Sequence, residues 1–151
     1  MRKYSTDSPE AIARILTLSM LIDGSMDETE TAFLETSGIR QKLGVSLEKI
    51  DIIVRDLYED LDMGASTVRT LDQRLTAGDL WQVVREISDP NTQQQLLISM
   101  MHIALADNQI SAGEARLLRE ALTCWTSDEG IGNFPIEANF PRRRLSDREA
   151  D

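Results

Sequence analysis

Acidic residues at two corresponding places in this chain could do chemistry together. In chain order they are Asp23, Glu30, Asp107 and Glu114. Carboxylate oxygens that converge on one point favour a hard divalent cation such as Ca²⁺, Mg²⁺ or Mn²⁺. A cation site at these acids is therefore one interpretation of the sequence, and the identity of the metal stays open.

These acids belong to a duplicated pattern. Residues 18–34 and 102–118 align at an offset of 84 residues, which pairs Leu21 with Leu105 and Glu30 with Glu114. Each copy has the pattern of an apolar helix, a short polar turn and a second helix. Two such hairpins packed with pseudo-twofold symmetry would bring the acids of both turns to one place.

The first turn does not match an EF-hand calcium loop. Asp23, Ser25 and Asp27 alternate as the first ligands of such a loop do, but the rest of the pattern fails. Glu28 stands where the loop needs glycine, and Leu34 stands where it needs a bidentate acid. An EF-hand is excluded on this basis.

The acids also have a purely structural interpretation. An Asp in a turn commonly bonds backbone amides, and a Glu three residues after a helix cap closes a capping box. Asp27 with Glu30, and Ser111 with Glu114, have the capping-box spacing. Turn structure and a cation site therefore both stay open at the level of sequence.

Apolar residues recur at helical spacing through most of the chain, which predicts an all-α fold. Ser8-Pro9 and Asp89-Pro90 are typical helix starts, Gly24 is a typical helix end, and Gly38 is a weak point inside a helix. We predict a compact single-domain bundle of about seven helices with two pseudo-symmetric helix-turn-helix hairpins. The predicted helices cover residues 9–22, 27–42, 47–62, 67–75, 80–87, 92–106 and 112–125.

The composition changes near residue 126. We expect a helical domain over residues 1–125 and a tail without regular structure over 126–151, where Gly, Pro and two Asn-Phe-Pro triplets occur. The tail residues that could contact a protein partner are Phe134, Phe140, Arg142, Arg143 and Arg144. The three arginines could equally fold back on the acidic domain.

Charge restricts the partners of this protein. A net charge of −10 repels the phosphates of nucleic acids and of anionic membranes. No apolar run is long enough to span a bilayer, and no apolar signal-peptide region follows Met1. We therefore expect a cytoplasmic protein with a protein partner, without nucleic-acid binding and without membrane insertion.

No arrangement of side chains predicts catalysis. His102 is the one histidine and Cys124 the one cysteine. His102 lies in an apolar helix, where a core or boundary position is expected. Phosphate-binding glycine loops and HExxH metal motifs are absent from the sequence. We expect a non-enzymatic protein, because an enzyme would need a polar pocket around these two residues.

The duplicated hairpin resembles the tellurite-resistance TerB-like family and the related N-terminal module of some membrane-anchored J-domain co-chaperones. The matching stretches are LIDGSMDETE at 21–30 and LADNQISAGE at 105–114, and the likeness spans about residues 8–125. The resemblance implies a bundle of roughly seven helices, no enzymatic activity, and a role in metal-linked stress response or partner binding. It also implies that metal is bound by Asp23, Asp27, Glu30, Asp107 and Glu114. In the second copy Ser111 and Ala112 replace the acids of the first, which weakens that half-site.

Two functional hypotheses follow. The first is a TerB-like module tied to tellurite or stress resistance that binds a divalent cation. It predicts that metal raises the melting temperature and that Asp23→Asn with Asp107→Asn abolishes the gain. The alternative is an acidic interaction domain, scaffold-like or co-chaperone-like, which uses its tail or the acidic face of the 47–62 helix and needs no metal.

Overall fold

Eight α-helices make up the regular structure of the described residues, and no strand occurs among them. The computed structural model describes residues 1–24, 28–63, 70–106 and 108–126. The helices are α1 Pro9–Leu21, α2 Glu28–Thr36, α3 Ile39–Leu43, α4 Leu47–Asp60, α5 Leu71–Arg74, α6 Ala77–Arg85, α7 Pro90–Leu105 and α8 Ala112–Thr126. The prediction of an all-α bundle is confirmed.

Short polar side chains begin the long helices, as the sequence predicts. The Ser8 side chain accepts a hydrogen bond from the Ala11 amide, and Pro9 follows the cap at the start of α1. Asp89 caps α7 in the same way, again with proline next. Such caps satisfy backbone amides that have no partner inside the helix.

Several helix boundaries differ from the prediction. The helix predicted over 67–75, for example, is observed as Leu71–Arg74, with Thr70 as its N-cap. The helix predicted over 27–42 is divided into α2 and α3, because Gly38 adopts a left-handed conformation with φ of 71°. Residues 77–79, predicted as a break, are instead the first turn of α6. There the Asp79 carboxylate accepts from the Thr76 amide at 2.9 Å, while the Thr76 hydroxyl accepts from the Asp79 amide. The small polar residues of this segment form a capping box rather than a loop.

Helix α1 lies at the centre of the core. All of its residues from Ala11 to Leu21 are buried, and it packs against α4, α6 and α7. Helix α8 packs against α6 and α7, and the buried Trp125 indole donates to the Val84 carbonyl at 2.8 Å. The described helices thus form one compact bundle around α1.

The N-terminal segment covers part of α4. Arg2 forms ion pairs with Asp56 at 2.8 Å, Asp60 at 2.9 Å and Glu59 at 3.0 Å. The predicted acidic face of this helix is therefore partly neutralised within the chain, and Asp56 is buried rather than solvated.

The two duplicated segments both form helix pairs in their described residues, α1 with α2 and α7 with α8. Their pseudo-twofold relationship stays a prediction, since residues 25–27 and 107 lie outside the described ranges. None of the helices in the described part of the chain combines the length and apolar character needed to cross a membrane.

Candidate metal centre

The first hairpin contributes two carboxylates near its turn. Helix α1 ends at Leu21, and the amide of Gly24 bonds the Leu21 carbonyl at 2.9 Å with Gly24 at a φ of 104°. This left-handed step favours glycine, as the sequence predicts. Asp23 is exposed on the turn, whereas Glu30, in the first turn of α2, is 4% exposed.

The second hairpin contributes Glu114, in the first turn of α8. Its carboxylate accepts from the Ser111 amide at 2.7 Å, and the Ser111 hydroxyl accepts from the Glu114 amide at 3.1 Å. The predicted capping box is thus confirmed. These bonds fix the direction of the Glu114 side chain, which is 5% exposed.

The bundle brings these three carboxylates together. Asp23, Glu30 and Glu114 each offer an oxygen, and these oxygens all lie within 4.8 Å of one another. At that separation two buried carboxylates repel by about 3 kcal/mol at an effective dielectric constant of about 20. A divalent cation between the oxygens would turn this repulsion into attraction, and an all-oxygen donor set suits a hard cation.

Helix dipoles favour negative charge at the same place. Glu30 and Glu114 both stand in the first turn of a helix, where the unpaired amides carry partial positive charge. Asp23 is the exposed member of the cluster and leaves it open to solvent on one side. The cluster therefore combines two buried carboxylates with one that is exposed to solvent.

Helix α5 and the residue before it form a wall beside both turns. A Cβ added to Gly113 would lie 3.0 Å from Ile22 Cγ1 and 3.2 Å from Asp72 Cγ. A Cβ added to Gly24 would lie 3.3 Å from Thr70 Cγ2. Gly24, which follows Asp23, and Gly113, which precedes Glu114, therefore both lie against this wall.

An arginine ties the wall to α8. The Arg116 guanidinium donates to the Leu75 carbonyl at 2.6 Å, and its Nε lies 3.5 Å from Asp72 Oδ1. Nothing in the sequence predictions anticipated this contact. The one residue in the sequence that indicates close packing at this place is Gly113. A glycine in the first turn of a helix lowers helix propensity, so its presence there points to a packing reason.

The remaining predicted site residues lie outside the described ranges. These are Asp27 and Asp107 among the acids, and the tail residues Phe134, Phe140, Arg142, Arg143 and Arg144. The structure thus brings together three of the five predicted acids, and metal binding by them stays a prediction.

His102 and Cys124 lie in different surroundings. His102 was expected at a core or boundary position, but it is exposed on α7, with its ring 5.5 Å from the Phe33 ring in an edge-on arrangement. Cys124 is half-buried near the end of α8. Neither residue belongs to the carboxylate cluster.

These features define a class of protein: an all-helical module that carries a carboxylate cluster where two helix hairpins meet. The chain belongs to the family described as tellurite resistance protein TerB, whose model matches residues 9–124. No curated protein and no solved structure matches the chain. The family match includes both hairpins and all three clustered carboxylates.

Proposed function

We propose that this TerB-family module acts in tellurite or stress resistance, without enzymatic activity, by binding a divalent cation through Asp23, Glu30 and Glu114. The observation that supports the proposal is the approach of three carboxylate oxygens within 4.8 Å, two of them on buried side chains. Burying like charges together is costly unless a counter-ion offsets their repulsion.

The donor set indicates the kind of ion. With one oxygen from each side chain, the cluster offers three of the six to eight oxygens that Ca²⁺ takes, and Mg²⁺ or Mn²⁺ commonly keeps several waters. Asp23 is exposed, so water can complete the coordination shell on that side. A partly hydrated ion of this hard class fits the cluster.

The test is thermal unfolding with and without metal. A cation that binds only the folded state at about 100 times its dissociation constant adds about 2.7 kcal/mol. For a chain of this size that corresponds to a rise in melting temperature of about 5–10 °C. We expect Mg²⁺, Mn²⁺ or Ca²⁺ at millimolar concentration to produce a rise of this kind over the value in EDTA.

Two variants distinguish metal binding at the carboxylate cluster from a general effect of metal on the acidic surface. Glu114→Gln keeps an oxygen that can accept from the Ser111 amide, but it removes one charge from the cluster. We expect this variant to lose most of the metal-dependent rise and to be no less stable than the unaltered chain in EDTA. Asp51→Asn removes an exposed acid from α4 and should keep the full rise.

An absence of any metal-dependent rise in the unaltered chain would remove cation binding from the proposal. An equal loss in Glu114→Gln and Asp51→Asn would show that metal acts on overall charge rather than on the cluster.

A further inference from the structure

Helix α7 presents an apolar stripe to solvent. Ile98, Met101 and Leu105 are 46%, 44% and 50% exposed, and their spacing of three and four residues places them on one face. The 16 residues of α7 contain no Asp, Glu, Lys or Arg. Three large apolar side chains exposed on one face of a helix without charged residues favour an interaction surface.

The stripe borders a groove between α7 and α2. The groove is shallow and wide open to solvent, with a volume of about 500 Å³. Its walls are Thr29, Ala32, Phe33 and Thr36 from α2, and His102, Leu105 and Ala106 from α7. The α2 residues recur at helical spacing, so both walls are helix faces, and a third helix can lie between them.

The aligned helix α1 allows the exposure of this face of α7 to be compared with that of a buried counterpart. At the offset of 84 residues, Ile98, Met101 and Leu105 correspond to Arg14, Thr17 and Leu21, which are 1%, 0% and 6% exposed. In the first copy this helix packs against α4, α6 and α7, whereas α7 packs against α1, α3 and α8. The helix of the second copy thus leaves open a face that is fully covered in the first.

Charge indicates the chemistry of the occupant. Glu28 and Glu35 are exposed on α2 and lie seven residues apart, so they stand on the same side of that helix beside the groove wall. The whole chain carries a net charge of −10. An apolar groove with an acidic rim complements a helix that has one apolar face and cationic flanks.

We propose that the groove between α2 and α7 binds an amphipathic, cationic helix from a partner protein. Its apolar residues, spaced three and four apart, would pack on the stripe of α7 and on Phe33. Its Lys or Arg side chains would lie along Glu28 and Glu35. This inference is independent of cation binding at the carboxylate cluster.

The test is fluorescence anisotropy with the full chain and a labelled synthetic peptide of Leu and Lys, about 16 residues long, with leucines on one helical face. EDTA is present throughout, so that no metal ion bound at the carboxylate cluster contributes to the measured affinity. We expect saturable binding at about 0.15 M salt and a gain of helical circular dichroism by the peptide. A peptide of the same composition with scrambled order should bind at least about tenfold more weakly.

A charge-matched pair of variants locates the binding. Met101→Asp with Leu105→Asp alters the stripe, and Leu47→Asp with Ile52→Asp alters residues of similar exposure on α4. Both pairs add the same negative charge, so simple attraction would strengthen peptide binding equally. We expect the stripe pair to weaken binding at least about tenfold and the α4 pair to keep or strengthen it.

A variant of the rim tests the charge argument. Glu28→Gln with Glu35→Gln should weaken binding a few-fold and reduce its salt dependence, since these charges are exposed.

Several results would overturn the proposal. Absence of binding, equal binding of the scrambled peptide, or equal loss in both Asp pairs would show that the groove does not select an amphipathic helix. If the unaltered chain self-associates in sedimentation and Met101→Asp with Leu105→Asp abolishes that association, the groove binds a second copy of the chain. Peptide affinity that rises more than about tenfold on Phe134→Ala with Phe140→Ala would assign it to the chain's own tail.

Discussion

The two duplicated helices, α1 and α7, place corresponding residues in opposite surroundings. Arg14 of α1 is buried, whereas its counterpart Ile98 on α7 is exposed, so the charged residue is inside and the apolar one outside. Leu21 is buried, and its counterpart Leu105 is half-exposed. Two aligned segments that both form helix pairs thus differ in which helix face is covered.

The cause lies in what packs around each helix. The guanidinium of Arg14 pairs with Glu86, donates to the Arg2 carbonyl at 2.7 Å and lies 4.5 Å from the centre of the Tyr4 ring. These partners come from the N-terminal segment and from the end of α6, and they make burial of the charge tolerable. The described residues provide no corresponding cover for the stripe of α7.

The turn acids behave differently from the helix faces. Glu30 and Glu114 correspond in the repeat, and both are buried in the first turn of a helix within reach of Asp23. The two aligned glutamates are thus both buried, while the helices that precede them differ in which residues are exposed. This contrast separates the carboxylate cluster, to which both hairpins contribute, from the exposed stripe, which occurs on α7 alone among these two helices.

The largest effect on the free energy of unfolding is expected from breaking the buried ion pair between Arg14 of α1 and Glu86. Arg14→Met leaves Glu86 buried without its cation and should lower the free energy of unfolding by about 3–5 kcal/mol. The counterpart change, Ile98→Met, alters an exposed side chain and should stay within about 0.5 kcal/mol. Urea unfolding of both variants measures the difference. Equal losses would show that the two helices are not covered differently.

A matched pair of leucines gives the next effect. Leu21→Ala removes buried contacts and should cost about 2–4 kcal/mol. Leu105→Ala, at the corresponding position, should change the free energy of unfolding by no more than about 0.5 kcal/mol. The same urea experiment measures both. A loss above about 1 kcal/mol in Leu105→Ala would contradict the open groove.

Two glycines in equivalent capping boxes test the wall beside the metal centre. Ser111-Ala112-Gly113-Glu114 and Thr76-Ala77-Gly78-Asp79 have the same pattern, but only Gly113 is crowded by Ile22 and Asp72. Gly113→Ala should cost about 1–3 kcal/mol through overpacking. Gly78→Ala meets one atom at 3.6 Å, an ordinary contact, and should stabilise by about 0.4–1 kcal/mol. Stabilisation by both changes in urea unfolding would disprove the close packing.

The smallest effect concerns the link between the starts of α1 and α7. Asp7 accepts hydrogen bonds from the amides of Ser88 and Asp89 at 2.7 and 3.0 Å and from the Ser88 hydroxyl. Burial alone would raise the pKa of Asp7, but these hydrogen bonds outweigh it and hold the pKa below its ordinary value of 3.8.

Because the folded pKa is depressed, the stabilisation by Asp7 is present above the ordinary pKa and is lost as pH falls through the folded value. Asp7→Asn should therefore cost about 1 kcal/mol or less at neutral pH and nothing below the folded pKa. Urea midpoints at neutral and acidic pH measure this convergence. A difference from the unaltered chain that persists or grows in acid would contradict the assigned sign.

Local sequence determined most of the helical architecture. Helix caps and turn glycines act through neighbouring backbone groups, so the sequence alone predicts them. Examples are Ser8-Pro9, Asp89-Pro90, the Ser111 capping box and Gly24. The same local chemistry explains the errors. Gly38 interrupts a helix by its left-handed conformation, and Thr76 with Asp79 turns an expected break into a helix start.

Only the tertiary structure decided which residues meet and which stay open. Three of the predicted acids converge because the first turn of α8 lies beside Ile22 at the end of α1, and the crowding of Gly113 by Asp72 depends on residues far apart in the chain. Arg14 and Ile98 show that helical periodicity does not predict which residues are buried. Helical spacing assigns residues to a face, but whether a face is buried depends on the elements that pack against it.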